Sequence, residues 1–336
     1  MHHVIIGAGP AGVTAAETIR KHAPESSITL IGDEPEPPYS RMAIPYLLME
    51  NIGEAGTYLR KADTHYDDAR INLLRQHVSS LDRGKKILTL DDGKTVEFDR
   101  LLIATGSRPV TPPIPGIDLP AVHSCWTMED ARAIISQAKS GSNVVLMGAG
   151  FIGCIILEAL AQRGVNLVVV EMENRMVPRM MNEVSGNMIK AWCESRGISV
   201  HTSTRVQEID QDGAALRVKL DNGSSLPADL VISATGVRSN IDFLADTGIQ
   251  TNRGVLVNEY LQSSHPGIYA AGDVAEGMDF STRQFSVQAI QPTAVEHGRI
   301  AGLNMAGRVT AHHGSVNMNV LDTLGLISCS FGLWMG

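Results

Sequence analysis

The feature that most restricts how this chain can fold is a glycine-rich turn that occurs twice, each time between an apolar strand and a helix. The first copy is GAGPAG, with Gly7, Gly9, Pro10, Ala11 and Gly12; the second is GAGFIG, with Gly148, Gly150, Phe151, Ile152 and Gly153. His3 to Ile6 reads as the first strand and about Ala11 to Lys21 as its helix, with Ala15, Ala16 and Ile19 facing inward. Val144 to Met147 reads as the second strand, followed by a helix to about Arg163. Such a turn brings backbone N–H groups against a pyrophosphate. Its first glycine turns the chain, its second leaves room for the phosphate, and its third lets helix and strand pack closely. The anion then sits at the positive end of the helix. One GxGxxG is a weak signal; two, each in the order strand, turn, helix, are not.

The duplication extends beyond the turns. In the first copy Ile28 to Ile31 is a strand followed by Asp33 and Glu34, at the interval where an acid meets a ribose, although two solvated turn charges would read the same way. Lys86 to Leu90, the Asp92-Gly93 signal and Thr95 to Phe98 form a hairpin. A buried strand then ends in LLIATG, closing on Ala104, Thr105 and Gly106. In the second copy Leu167 to Val170 ends at Glu171, Ala215 to Leu220 precedes Asn222-Gly223, and LVISATG closes on Gly236. First and closing glycines are 99 residues apart in one copy (7 to 106) and 88 in the other (148 to 236). Five prolines between residues 108 and 120 read as a linker at a domain boundary. After the second copy come Val255 to Val257, then IYAAGD ending in Gly272 and Asp273. A last helix follows, opened by Gln291 and Pro292, where proline presets the first turn and leaves N–H groups pointing outward.

Composition narrows the function. At 336 residues and 43% hydrophobic, the chain can fill two or three cores. The first strand begins by Val4, leaving no room for a secretory leader, so the protein reads as cytoplasmic. No apolar run reaches the length of a membrane helix. A net charge of -8 and a pI near 5.8 argue against nucleic acid. Cys125, Cys154, Cys193 and Cys329 are too scattered for a metal or redox pair and read as small buried or semi-buried apolar residues. The eleven histidines lack metal spacing, so no metal site is expected.

With GAGPAG, LLIATG, GAGFIG, SATG and AAGD in this order, the chain resembles the FAD-dependent pyridine nucleotide oxidoreductases, the two-dinucleotide flavoproteins. The likeness covers about Val4 to Arg308. YSR at Tyr39 to Arg41 and WTMEDA at Trp126 to Ala131 point to the rubredoxin reductase, ferredoxin reductase and nitrite reductase-like branch. The resemblance implies an α/β fold with two Rossmann-like domains, an FAD domain in two pieces (1–110 and 239–308) around an NAD domain (111–238). Residues 309–336 would begin a C-terminal interface domain, of which the resemblance implies a truncated form. It places Gly7, Gly9, Pro10, Ala11 and Gly12 on the FAD pyrophosphate, and Asp33 with Glu34 at the adenosine ribose. Arg41, Val78, Ala104, Thr105 and Gly106 would lie along the FAD, Gly272 and Asp273 at the ribityl chain, and Gln291 and Pro292 near the flavin pyrimidine edge. Gly148, Gly150, Phe151, Ile152, Gly153 and Glu171 would hold the nicotinamide nucleotide, with the chain crossing back at Gly236. Glu171 would accept from a ribose hydroxyl and repel a 2′-phosphate, which favours NADH over NADPH; Arg175, in the same loop, is the residue able to oppose that choice.

Three departures from the resemblance matter. Met42 stands in RMAIPY where thiol-using relatives carry a cysteine, and a thioether cannot run a disulfide or sulfenate cycle. Tyr46 and Ile155 replace a lysine–glutamate pair beside the flavin; losing both avoids one unpaired buried charge. The chain stops inside the apolar stretch LDTLGLISCSFGLWMG, an end that a partner chain or second copy would cover. The reading is an NADH oxidoreductase passing electrons through FAD to a small electron-carrier protein or attached redox centre, with no catalytic side chain named. Alternatives are an NADH oxidase using oxygen and an NAD(H)-responsive flavin sensor. RGKK at Arg83 to Lys86 is either a docking patch for an acidic carrier or a solvated hairpin turn. Met172, Met176, Met180 and Met181 read as packing. Trp126 either stacks on FAD or caps the core.

Overall fold

The computed structural model describes residues 1–332. The chain divides into two compact units, both discontinuous: residues 1–40, 58–108 and 238–317 form the first, and residues 41–57, 109–237 and 318 onward the second. The short segment 41–57, which carries Arg41, Met42 and Tyr46, thus groups with the second unit.

The first unit is built on a parallel sheet of five strands in the order Ile268–Ala270, Arg100–Ile103, His2–Ile6, Ser27–Gly32, Asn72–Arg75. Its central strands are runs of Val, Ile and Leu with no polar alternation, the pattern of strands covered on both faces. Val4, Ile5, Leu30, Leu101, Leu102 and Ile103 accordingly have no exposed surface. Two helices pack together in this unit, Pro10–His22 and Gln291–Met305. They approach at two glycines: a Cβ on Gly298 would lie 2.2 Å from the Ala11 carbonyl oxygen, and one on Gly302 would lie 2.9 Å from that of Ala15. A three-stranded antiparallel meander (Val78–Asp82, Ile87–Leu90, Thr95–Glu97) connects the Asn72 strand to the Arg100 strand.

The second unit repeats the plan. Its parallel sheet runs Ser199–His201, Asn166–Val170, Asn143–Met147, Leu230–Ser233, Val122–His123. The order third, second, first, ATG strand is the same in both sheets, while the outermost strand comes from late in the chain in one and from before the glycine turn in the other. The meander Val206–Asp212, Ala215–Leu220, Ser225–Ala228 again precedes the ATG strand. The proline-rich segment after residue 108 is docked rather than free. Ile209 N–H donates to the Pro115 carbonyl at 2.9 Å, and Ile114, Ile117 and Leu119 pack on the core of this unit. Thr127 and Asp130 form a capping box at the start of helix Met128–Gln137, each accepting the other's backbone N–H.

An antiparallel hairpin, Met318–Thr323 with Leu326–Phe331, belongs to the second unit. Its period of two puts Asn319, Leu321 and Thr323 inward and Met318, Val320, Ile327, Cys329 and Phe331 outward. Cys329 is therefore exposed, contrary to the expectation that each cysteine is buried or semi-buried, because it falls on the outward face of the strand. Residues 333–336, the end of the apolar stretch, lie outside the described residues. Among the described residues no helix is long and apolar enough to cross a membrane, and no group of three or more His, Cys, Asp and Glu could hold a metal ion.

Candidate functional site

Each glycine turn occupies the point where the first strand of its sheet passes into a helix, and the two are built alike. Gly7 N–H donates to the Ile31 carbonyl at 2.7 Å, and Gly148 N–H to the Val170 carbonyl at 2.8 Å, so the second strand fixes both turns in the same register. Gly7 (φ +109°) and Gly148 (φ +96°) adopt the left-handed backbone that glycine permits. A Cβ on Gly7 would come within 2.0 Å of the Ala104 carbonyl oxygen and one on Gly148 within 2.5 Å of that of Ala234, the alanines of the two ATG segments. The third glycines are closed in as well: a Cβ on Gly12 would lie 1.9 Å from the Gly7 oxygen, and one on Gly153 2.1 Å from the Gly148 oxygen.

The middle glycines differ. Gly9 (φ -79°, ψ -173°) and Gly150 (φ -71°, ψ -172°) have extended backbone that any residue adopts. A Cβ on either would meet no atom within 4 Å. Neither backbone geometry nor protein packing therefore requires glycine there, and the open space lies at the N-terminus of a helix. At that end the N–H groups of the first turn have no acceptor within the helix. Pro10 occupies the first helical position of one helix and Phe151 that of the other; Gly9 and Gly150 accept the first helical bonds from Val13 and Cys154. This is the cradle a pyrophosphate requires, twice over, and the residues present fit such a group.

The acids at the ends of the second strands are held differently in the two units. Glu171 is buried, with Oε2 accepting Ala149 N–H at 2.6 Å and Oε1 accepting Glu173 N–H at 2.9 Å. Asp33 is exposed and faces His77 Nδ1 at 3.2 Å; Glu34 accepts from the Tyr39 hydroxyl at 2.5 Å. Arg175 turns its guanidinium onto its own loop, donating to the Met181 and Pro178 carbonyls and to the Asn174 side chain.

Near the first ATG segment, Thr105 and Asn240 exchange two hydrogen bonds of 2.8 Å, hydroxyl to carbonyl and amide to carbonyl. Gly272 (φ +76°) opens a short turn after Ile268–Ala270, and Asp273 follows, accepting from the Ser107 hydroxyl at 2.8 Å. Its backbone carbonyl accepts from Ser239. Gln291, at the start of the last helix, accepts from the Ser40 hydroxyl at 2.6 Å, and Pro292 beside it is exposed. Gly106 and Gly236 both have positive φ and open space where a Cβ would be. Val78 is buried in the first core.

In the second unit Arg41 donates to the Trp126 carbonyl at 2.7 Å with its guanidinium 5.5 Å from the indole centroid, so Trp126 is engaged with Arg41. Tyr46 and Met42 are exposed and Ile155 half-buried. Lys85 of RGKK pairs with Asp82 at 3.3 Å on an exposed turn. Ser40, Ser107, Asn240, Gly298 and Gly302 escaped the sequence reading. Only the last two carried a signal, glycines four apart on a helix, the spacing of a close helix crossing.

The pattern of the pyridine nucleotide-disulphide oxidoreductases matches residues 1–298. The chain belongs to that family. Rhodocoxin reductase of Rhodococcus erythropolis is 34% identical over 322 residues, 94% of this chain and 74% of that protein. The NADH oxidase of Methanocaldococcus jannaschii is 36% identical over 316 residues, 91% of this chain and 70% of that protein. Among solved structures, a NAD-dependent persulfide reductase from A. fulgidus matches with a TM-score of 0.94 at 29% identity; the match covers 99% of this chain and 64% of that longer one. Membership makes this chain an oxidoreductase of two Rossmann-like units.

Proposed function

We propose that the chain is an NADH-dependent flavoprotein reductase that binds FAD at GAGPAG and the nicotinamide nucleotide at GAGFIG, and passes electrons to a small electron-carrier protein or an attached redox centre. The observation that carries this reading is the pair of middle glycines, Gly9 and Gly150, each needed by neither its backbone angles nor its neighbours, each opening onto a helix N-terminus. When bound, the flavin supplies the hydride chemistry. The residues of this chain bind and orient. The turn backbones and first-turn N–H groups hold the pyrophosphates, and Asp273, itself held by Ser107, offers a carboxylate to a ribityl hydroxyl. The helix opened by Gln291 would turn its positive dipole end toward the flavin pyrimidine edge, an effect of about 0.3–2 kcal/mol toward a negative charge there. In this reading the boundaries 1–110, 111–238 and 239–308 are those of the FAD and NAD domains.

A carrier protein as acceptor is favoured by the rhodocoxin reductase likeness, and by Met42, which supplies no thiol for disulfide or persulfide exchange at that position. Oxygen as acceptor is the second reading, favoured by the likeness to the NADH oxidase. No observation favours a sensor. The apolar face formed by Met318, Val320, Ile327 and Phe331 fits a partner surface, and a second copy of the chain is proposed to cover it.

Anaerobic titration of the FAD-reconstituted protein with NADH and then NADPH, followed at the visible flavin band, tests the reading. Bleaching by NADH and fast recolouring on adding a rubredoxin or ferredoxin is the expected result. Absence of a flavin band after reconstitution overturns the cofactor assignment, and recolouring only by air selects the oxidase.

A further inference from the structure

In the last turn of helix Pro10–His22, Arg20 reaches across four backbone carbonyls. Its Nε donates to Ala69 at 2.7 Å, Nη1 to Pro24 at 2.6 Å and Ser26 at 2.9 Å, and Nη2 to Arg70 at 2.6 Å. Arg70 brings a second guanidinium to the same place, its Nη2 donating to the Pro24 carbonyl at 2.9 Å. Two guanidinium nitrogens on one oxygen lie within about 6 Å of each other, where like charges repel unless an anion joins them. All of these bonds end on neutral carbonyls, and among the described residues neither arginine pairs with a carboxylate. Burial first and the charge of Arg70 second hold the Arg20 guanidinium below its ordinary value, with Glu25 acting the other way. Arg70 also sits at φ +52°, a left-handed backbone that glycine or asparagine takes with less strain, yet neither of those would bring a second cation to Pro24.

The two arginines line a cleft of about 410 Å³ together with Glu25, Ser26, Ser27 and Asn72. It opens at the N-terminal ends of strands Ser27–Gly32 and Asn72–Arg75, whereas the glycine turn of this sheet follows the C-terminal end of a strand, so the cleft is separate from the nucleotide cradle. Arg70 is exposed, and most of its N–H groups have no protein acceptor among the described residues. In a chain of net charge -8, two converging cations with no carboxylate between them mark a place for an anion from outside. We propose that this cleft binds a phosphate group, carried by the free ion or by a small phosphate ester. Arg70 supplies the forked donor that matches phosphate oxygens, and Arg20 a second charge already fixed by the backbone. The Ser26 and Ser27 hydroxyls and the Asn72 amide are the neutral donors of the same cleft, and Glu25 opposes the anion. The site stands independently of the assignment of the glycine turns.

The test is calorimetric titration with inorganic phosphate of the protein held in excess FAD and NAD+, so that the glycine turns are filled. The wild-type protein is expected to bind phosphate, with sulfate competing, and to bind it more weakly in about 0.5 M sodium chloride. Arg70→Asn removes the guanidinium but suits the left-handed backbone, so it should keep the wild-type unfolding midpoint and weaken phosphate binding about tenfold. Glu25→Gln should tighten binding about threefold. Glycerol 3-phosphate bound as tightly as phosphate, with the same dependence on Arg70, assigns the site to a phosphate ester; weaker binding assigns it to the free ion. Absence of phosphate binding by the wild-type protein, or binding that Arg70→Asn leaves unchanged, would overturn the proposal. Because the variants locate the site, failure of the dinucleotides to bind would overturn the proposed function and leave this test intact.

Discussion

Gly298 lies so close to Ala11 that its helix and the turn helix share no room for a methyl group: a Cβ would stand 2.2 Å from the Ala11 carbonyl oxygen. The helix carrying Gln291 is thereby registered against the helix that opens at Gly9. Gly298→Ala should cost about 1–3 kcal/mol, since overpacking outweighs the gain in helix propensity of roughly 1 kcal/mol. Gly302→Ala, with 2.9 Å to the nearest atom, should cost less. Urea unfolding of the two variants checks the order.

The middle glycines separate fold from ligand. Gly9→Ala and Gly150→Ala should leave the unfolding midpoint nearly unchanged, because a methyl group meets nothing in either place. Gly9→Ala should lose flavin on gel filtration, and Gly150→Ala should keep flavin yet bind NADH poorly. Gly7→Ala, by contrast, should unfold, with its Cβ 2.0 Å from a carbonyl oxygen and its φ at +109°.

Acid should weaken the fold through histidines that are buried uncharged. Burial first, and the Arg100 charge second, bring His3 down to about 4; burial and the neighbouring His312 bring His297 to about 3. Below the ordinary histidine value of 6.5 the unfolded chain takes up protons that the folded chain refuses. Stability is therefore full above that value and declines as the pH falls from 6.5 toward 4. The slope is up to about 1.4 kcal/mol per pH unit for each group. His3→Leu should flatten this slope. With both ring nitrogens of His3 buried and unpartnered, it should also raise stability at neutral pH by about 1–2 kcal/mol. Urea midpoints measured from pH 4.5 to 8 give both quantities.

Thiol labelling should divide the cysteines. Burial pushes the Cys125 thiol up to about 12 and that of Cys193 to about 11, and raises Cys154 further, so none of the three should react in the native state. Cys329 should be alkylated at low protein concentration. If a second copy covers the hairpin, its labelling rate should drop as concentration rises, while flavin reduction by NADH stays unaffected by the modification.

Much of the architecture was written locally. Strand runs such as Leu101 to Ile103 and the two glycine turns are decided by neighbours within a few residues, so the duplication, its strand and helix positions and the α/β class could be read from order alone. Other features depend on residues far apart in the chain, and no local pattern announces them. Ser107 meets Asp273 and Ser40 meets Gln291 only because the sheet brings segments more than a hundred residues apart together. The proline-rich stretch reads as a linker because proline breaks regular structure, yet its Ile114 and Ile117 found a core to enter. Glu171 carries a recognisable spacing, but its burial beneath Ala149 and the exposure of Glu173 were settled by the path of the loop. The sequence by itself determined that two nucleotide-type turns exist, because each is a contiguous pattern of glycine, strand and helix. Tertiary structure alone decided which glycines face empty space and which face a carbonyl, because that depends on what the rest of the chain packs against them.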